Sequence, residues 1–153
     1  MPRLYDRTLV DRPLAQTQQG LERFFASLRG GSGVARFRLR VPMDGAPHGY
    51  GISLDRDVRI EVRRRREPGL PDAIEISWRP EGMLVFPSFE GTLAICSESD
   101  RNVSRLELEG SYTPPFGVAG MLFDAAIGHR IAQATAREFL KDVKNAIEGT
   151  VSS

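Results

Sequence analysis

The chain is poor in the residues that build covalent cross-links and metal centres. It has one cysteine, Cys96, and two histidines, His48 and His129, among 153 residues. A single cysteine forms no internal disulfide, which is typical of a reducing compartment, so we expect a cytoplasmic protein. A zinc site needs several Cys, His or carboxylate ligands that converge, so we predict neither a metal site nor a cofactor.

Long apolar runs are also missing. Charged residues or glycine interrupt every hydrophobic stretch well before the roughly 18 residues that a membrane span requires. The segment from Met1 to Asp6 lacks the apolar core of a signal peptide. We therefore expect no stable insertion into a membrane.

A strong charge of one sign is absent too, because 21 Lys and Arg face 20 Asp and Glu and leave a formal net charge of +1. The run Arg63–Arg66 and the arginines of the segment 36–40 favour a nucleic-acid partner. However, no aromatic residues alternate with these arginines to stack bases. Acidic residues predicted on the same wet face supply them with cross-strand partners: Glu61, Glu75, Glu107 and Glu109. We predict no nucleic-acid partner.

What the chain does contain is a series of short segments in which apolar and polar residues alternate. This period of two is typical of strands with one buried and one wet face. Clusters of Pro, Gly, Asp and Asn between the segments predict turns, as in Pro68–Asp72 and Ser99–Asn102. The predicted strands cover residues 3–11, 34–41, 58–63, 74–79, 89–95 and 105–113. Their short connections predict an antiparallel meander.

Two segments have the period of a helix. The first covers residues 13–28 and ends at the glycines of the segment 30–33, which follow a helix and so do not match a phosphate-binding loop. The second covers residues 118–147 and has an apolar stripe about 120° wide. This stripe is small in its middle, at Ala125, Gly128, Ala132 and Ala136. Small residues allow two alternatives: a close approach to the sheet, or a cavity beneath the helix.

The order of these elements, together with the run Leu106–Gly117 (LELEGSYTPPFG), resembles the START-like superfamily, also called SRPBCC or helix-grip. The resemblance covers nearly the whole chain and implies one START-like domain over residues 1–153. The implied fold is α+β, with a curved antiparallel β-sheet wrapped around a long C-terminal α-helix. The family usually has two short helices where this sequence predicts one. Members bind lipids, sterols or quinones, close aromatic polyketides, or assist chaperones.

From the resemblance and the helix stripe we predict a small hydrophobic molecule, such as a lipid, isoprenoid or aromatic compound, bound without catalysis between the sheet and the C-terminal helix. Two alternatives are a cyclase or dehydratase that uses Tyr112 or His129 as an acid or base in the same cavity, and a protein-interaction module without ligand. No G-x-S-x-G motif occurs, so we do not expect hydrolysis. The predicted ligand-binding residues are Trp78, Phe89, Leu108, Tyr112, Met121, Ala125, His129 and Ala132.

Several of these residues have a structural interpretation as well. Trp78, Phe89 and Tyr112 are expected on the inner face of the sheet, where simple core packing also explains an aromatic ring. His129 lies at the edge of the apolar stripe, where a boundary histidine with one satisfied hydrogen bond is the common case. Its alternative role is to orient a ligand or to move a proton. The sequence predicts no oligomeric state.

Overall fold

A computed structural model describes residues 3–29, 35–42, 53–65, 68–69, 73–80, 88–113 and 125–149. These residues form six strands and two helices: β1 (Arg3–Val10), α1 (Leu14–Ser27), β2 (Arg36–Pro42), β3 (Ser53–Arg65), β4 (Ala73–Pro80), β5 (Ser88–Ser97), β6 (Ser104–Thr113) and α2 (Ala125–Glu148). All six predicted strands and the single helix predicted between the first two are confirmed. The predicted first turns of the long helix, residues 118–124, lie outside the described residues.

The six strands form one antiparallel sheet in the order β1-β6-β5-β4-β3-β2. Strands β1 and β2, which flank α1 in the chain, therefore lie at opposite edges. Helix α2 packs against both edge strands and against α1, so it extends across the concave face of the sheet. This is the predicted α+β helix-grip fold, a curled antiparallel sheet closed by a C-terminal helix. Neither helix, within the described ranges, is long and apolar enough to cross a membrane.

Strand β3 is longer than the sequence predicts. Its first five residues, Ser53–Asp57, carry no clear apolar alternation, yet they pair with β2 from the register Pro42↔Ser53 up to Arg38↔Asp57. Backbone hydrogen bonds to a neighbouring strand extend a ladder without regard to the side chains. The side-chain pattern therefore located the buried half of this strand and missed the rest.

Two glycines shape the centre of the sheet. Gly91 on β5 lies directly opposite Gly110 on β6. A Cβ atom at Gly91 would lie 2.7 Å from Cζ of Phe89, and one at Gly110 would lie 2.8 Å from it. Both would also collide with the backbone of the facing strand. The Phe89 ring therefore rests on the glycine pair, which is the close approach that glycine inside a strand often marks.

The connection between β1 and α1 fastens the end of α2. The Arg12 guanidinium donates from Nη2 to the carbonyl oxygen of Glu148 at 2.8 Å, and the Asp11 backbone N–H donates to Glu148 Oε2 at 3.0 Å. Gly149 follows with φ of 69°, the left-handed conformation that commonly ends a helix. A cation at the C-terminus of a helix is also favoured by the helix dipole.

The hydrophobic core is one cluster with residues from all eight elements. On α2 it takes the predicted stripe, including Ala132, Ala136, Phe139 and Val143, while Arg137 and Lys141 are exposed on the other side. The outer face of the sheet is charged and carries the cross-strand pairs Arg3–Glu109 at 3.0 Å and Arg63–Glu75 at 4.0 Å.

Candidate functional site

Three aromatic side chains lie next to one another on the inner face of the sheet. Trp78 on β4 pairs with Phe89 on β5, and Phe89 pairs with Tyr112 on β6. We call these three residues the aromatic row. Their exposed fractions are 2%, 3% and 3%. The inner-face positions predicted for them are confirmed, and their rings are packed against other protein atoms.

The row continues into a larger aromatic cluster. The rings of Trp78 and Phe89 stack at 4.6 Å with an interplanar angle of 26°. Phe139 of α2 lies 5.2 Å from Trp78 and meets Phe37 of β2 edge to face at 5.5 Å. Phe37 and Phe139 were not predicted as site residues. Their inward positions in a strand and in the helix stripe gave the signal, but the contact between them depends on where α2 crosses the sheet.

One polar atom inside this cluster has no partner. The indole Nε1 of Trp78 is buried, and no hydrogen-bond acceptor reaches it among the residues that the structure describes. Indole N–H is a donor only, and a buried donor without a partner destabilises a fold by about 1–3 kcal/mol. Such groups are rare in native proteins and call for an explanation.

A second polar feature lies at the β6 end of the row. The Tyr112 hydroxyl and Nδ1 of His129 are 3.1 Å apart, which is a hydrogen bond between β6 and the first turns of α2. Burial raises the pKa of the Tyr112 hydroxyl above its ordinary value of 10.0. The hydroxyl is therefore neutral at physiological pH, and it can donate to the imidazole. His129 itself is exposed, so the pair connects the buried row to solvent.

The other predicted ligand-binding residues lie in different surroundings. Leu108 is fully buried, and Ala132 is 2% exposed. Ala125 begins α2 in the described part of the chain, where only its backbone is described. Met121 lies outside the described residues.

The structure distinguishes the two alternatives for part of the small stripe. Ala132 and Ala136 are 2% and 0% exposed, so no water-sized space adjoins them. From Ala132 onward the helix therefore approaches the sheet closely and packs on the aromatic cluster. The same question at Ala125 and Gly128 falls on side-chain positions that are not described.

Metal ligands do not converge within the described ranges, where no group of three His, Cys, Asp or Glu side chains could hold an ion. The second histidine, His48, lies outside those ranges. At the aromatic row, the described residues therefore offer aromatic rings, the unpartnered N–H donor of Trp78 and the Tyr112–His129 pair.

Comparison with known proteins gives a fold and no family. No family model matches the chain, and no curated protein matches it. Solved structures do match over nearly the whole chain. One is a protein from Thermus thermophilus, 17% identical with a TM-score of 0.55, where the match covers 99% of this chain and 100% of that one.

Two further structures have similar scores. An uncharacterized protein from Bacillus thuringiensis is 13% identical with a TM-score of 0.59, covering 95% of this chain and 98% of its own. The Zhui aromatase/cyclase from Streptomyces sp. R1128 is 15% identical with a TM-score of 0.54, covering 97% and 92%. At such identities the likeness is one of fold. The chain therefore has the fold of these solved structures, one of which is an aromatase/cyclase.

Proposed function

We propose that the protein binds a small, largely apolar ligand with a hydrogen-bond acceptor at the aromatic row, between the sheet and α2, without catalysis. Trp78, Phe89, Leu108, Tyr112 and Ala132 are its proposed contacts among the described residues. The predicted contacts Met121, Ala125 and His129 belong to the same proposal.

The observation that carries the proposal is the unpartnered Nε1 of Trp78. The indole stacks on Phe89 and contacts Phe139. These phenyl rings carry no oxygen or nitrogen, so the single polar atom of the indole remains unsatisfied inside an apolar cluster. A carbonyl or ether oxygen of a ligand would satisfy that donor. Such an acceptor, attached to an aromatic or polyene body that can stack on Phe89, would recover the energy lost by the buried N–H.

Binding requires the rings to move. Residues of the row are 2–3% exposed, so the ligand must separate Phe89 or Phe139 from Trp78. A packed core with a minor open state takes up a ligand by shifting that equilibrium. The apparent affinity is then reduced by the fraction of molecules that are closed.

A matched pair of probes tests the proposal. 2-Acetylnaphthalene and 2-ethylnaphthalene share the naphthalene body and a short substituent, but only the ketone carries an acceptor. We expect the ketone to bind roughly tenfold more tightly in calorimetric or fluorescence titrations, since one satisfied buried donor is worth about 1–3 kcal/mol. In Trp78→Phe, which lacks the N–H, this preference should disappear.

Equal affinity of wild-type protein for both probes, or an unchanged preference in Trp78→Phe, would overturn the role of the indole. Phe24→Leu is a suitable control, because Phe24 lies in the aromatic cluster near Phe37 but away from the row. Native mass spectrometry of the purified protein, followed by extraction, would identify a natural ligand that copurifies.

A second candidate function is supported by the Tyr112–His129 pair. In an intramolecular aldol cyclisation, the Tyr112 hydroxyl would donate its proton to the ketone oxygen as the carbon–carbon bond forms. The α-proton leaves to solvent, and His129, which contacts both Tyr112 and solvent, restores the tyrosine proton. The fold shared with the Zhui aromatase/cyclase is compatible with this chemistry.

The probe for this candidate is 2,6-heptanedione, which cyclises with loss of water to 3-methylcyclohex-2-enone, detected by its ultraviolet absorbance. Catalysis would require a rate above buffer that falls about 100-fold in Tyr112→Phe. Phe24→Leu should retain that rate. No rate above buffer, or a full rate in Tyr112→Phe, would exclude the enzyme.

We further propose that the chain is a START-like protein that acts in the cytoplasm, with residues 1–153 as a single domain. One hydrophobic cluster that includes every helix and strand of the described ranges supports a single domain. The shared element order supports the superfamily, and the lone Cys96 supports a reducing compartment.

A further inference from the structure

A cavity of about 380 Å³ lies between α1 and strands β3, β4 and β5. We call it the α1 cavity. Its walls are apolar and are formed by Leu21 and Phe25 of α1 and by Val62, Ile74 and Ile95 of the sheet. A volume of this size lies at the small end of the range for ligand pockets, about 300–1,000 Å³. No pattern in the sequence predicts this cavity.

The walls show why this space exists. Val62 and Ile74 point to the concave face of the sheet, where their strand neighbours Ile60 and Ile76 are each 2% exposed. Val62 and Ile74 are nevertheless only half-buried, because α1 packs against α2 and, within the sheet, mainly against β5, so that it makes few contacts with β3 and β4. Inward apolar side chains that keep contact with water mark a surface on which an apolar molecule gains energy by binding.

The rim of the cavity is charged. Arg64 of β3 lies opposite Ile74, and its Nη2 contacts Oε1 of Glu22 on α1 at 2.8 Å. Arg29, just beyond the end of α1, also lines the rim and has no ion-pair partner within the described part of the chain. Among the described residues that line the opening, two guanidinium groups thus face one carboxylate, which leaves these residues with a surplus of one positive charge.

We propose that the α1 cavity binds a small amphiphilic monocarboxylate, with its apolar chain on Val62, Ile74 and Ile95 and its carboxylate between Arg64 and Arg29. A guanidinium binds a carboxylate through two parallel hydrogen bonds, which suits this rim. The single negative charge of the ligand balances the surplus charge. An apolar walled cavity that opens on such a rim matches an amphiphile rather than a neutral oil or a dianion.

This site is independent of the proposed function at the aromatic row. Neither Trp78 nor a residue of α2 is among the described residues that line the α1 cavity. The methyl groups of Ile74 and Ile95 report on the cavity, whereas Ile131 is 1% exposed on α2 and reports on the core. The proposal for one binding site can therefore be refuted while the proposal for the other is supported.

The experiment uses decanoate and decanol on protein labelled at the isoleucine δ1 methyl groups. With decanoate we expect saturable shifts of the Ile74 and Ile95 resonances and none at Ile131. Decanol, which lacks the charge, should bind roughly tenfold more weakly, allowing for the partial exposure of the rim. No saturable shift at Ile74 and Ile95, or equal affinity for the two probes, would overturn the proposal.

Charge variants on the rim should change the affinity for decanoate in opposite directions. Arg64→Gln should weaken decanoate about five- to tenfold with little effect on decanol, whereas Glu22→Gln should strengthen decanoate because it removes the competing carboxylate. Arg63→Gln is the matched control, since Arg63 is the next residue on β3 and points to the outer face. Equal losses in Arg64→Gln and Arg63→Gln would overturn the rim assignment.

A filling variant tests the cavity itself. Ala26 is exposed on α1 and lines the opening, so Ala26→Phe should abolish binding of both probes while leaving the melting temperature nearly unchanged. Full decanoate affinity in folded Ala26→Phe would place the binding site elsewhere.

Discussion

Phe139→Ala is the mutation that tests most severely how the aromatic cluster holds α2 on the sheet. Phe139 is 0% exposed, and its ring contacts both Phe37 on edge strand β2 and Trp78 near the centre of the sheet. Truncation to alanine removes both ring contacts and leaves a void the size of a phenyl ring.

The magnitude follows from burial. Phe→Ala in a packed core destabilises by about 3–5 kcal/mol, which includes the lost transfer energy and the cavity that remains. Each aromatic pair accounts for roughly 0.5–1.5 kcal/mol beyond its area. A protein of this size is typically stable by about 5–15 kcal/mol, so the variant should still fold but should unfold at a much lower urea concentration.

Urea unfolding followed by tryptophan fluorescence measures this directly, because Trp78 is the single tryptophan and contacts the mutated ring. Leu9→Ala is the control, since Leu9 is 51% exposed on β1 and should change stability by less than about 0.5 kcal/mol. A loss of unfolding free energy below about 1.5 kcal/mol in Phe139→Ala would mean that this ring borders open space and is not tightly packed against Phe37 and Trp78.

Three further variants test other parts of the structure. Gly110→Ala should destabilise by about 2–3 kcal/mol in urea unfolding followed by circular dichroism, because the added Cβ collides with the Phe89 ring and the facing backbone; wild-type stability would refute the close approach. Tyr112→Phe should lose less stability than the wild type above pH 10. Burial raises the pKa of Tyr112 in the folded protein, so the unfolded state releases that proton first and wild-type stability falls from pH 10 upward. Parallel profiles of stability against alkaline pH would contradict this. Arg12→Ala should destabilise the last turn of α2 by about 1 kcal/mol, because it removes the guanidinium that donates to the Glu148 carbonyl. Amide hydrogen exchange in that turn should become faster, and an unchanged exchange rate would refute the stabilising role of Arg12.

Much of the fold could be predicted from the sequence because its signals are local. Alternation in the segment 105–113 placed Leu108 and Tyr112 on the inner face, where both are buried. The alternation also gives inward positions to Gly110 in this segment and to Gly91 in the segment 89–95, and the structure explains both glycines by the Phe89 ring that covers them. The α2 stripe predicted which side of the helix meets the sheet.

The candidate site could be predicted only in part, because it depends on distances between elements. That Trp78 lies inside was predictable, but whether an acceptor reaches its Nε1 depends on side chains from other elements. The hydrogen bond between Tyr112 and His129 depends on the register of α2 over β6. The α1 cavity depends on which part of the sheet α1 packs against, and no periodicity in the sequence encodes that position.

The indole N–H of Trp78 itself gives the most direct test of ligand binding at the aromatic row. Because the chain has one tryptophan, a ¹H–¹⁵N spectrum contains a single indole resonance. We expect saturating 2-acetylnaphthalene to move this resonance downfield, as a new hydrogen bond donated by Nε1 requires, and 2-ethylnaphthalene to leave it without a downfield shift. An indole resonance that stays in place while the ketone binds would show that the buried donor is not part of the ligand site.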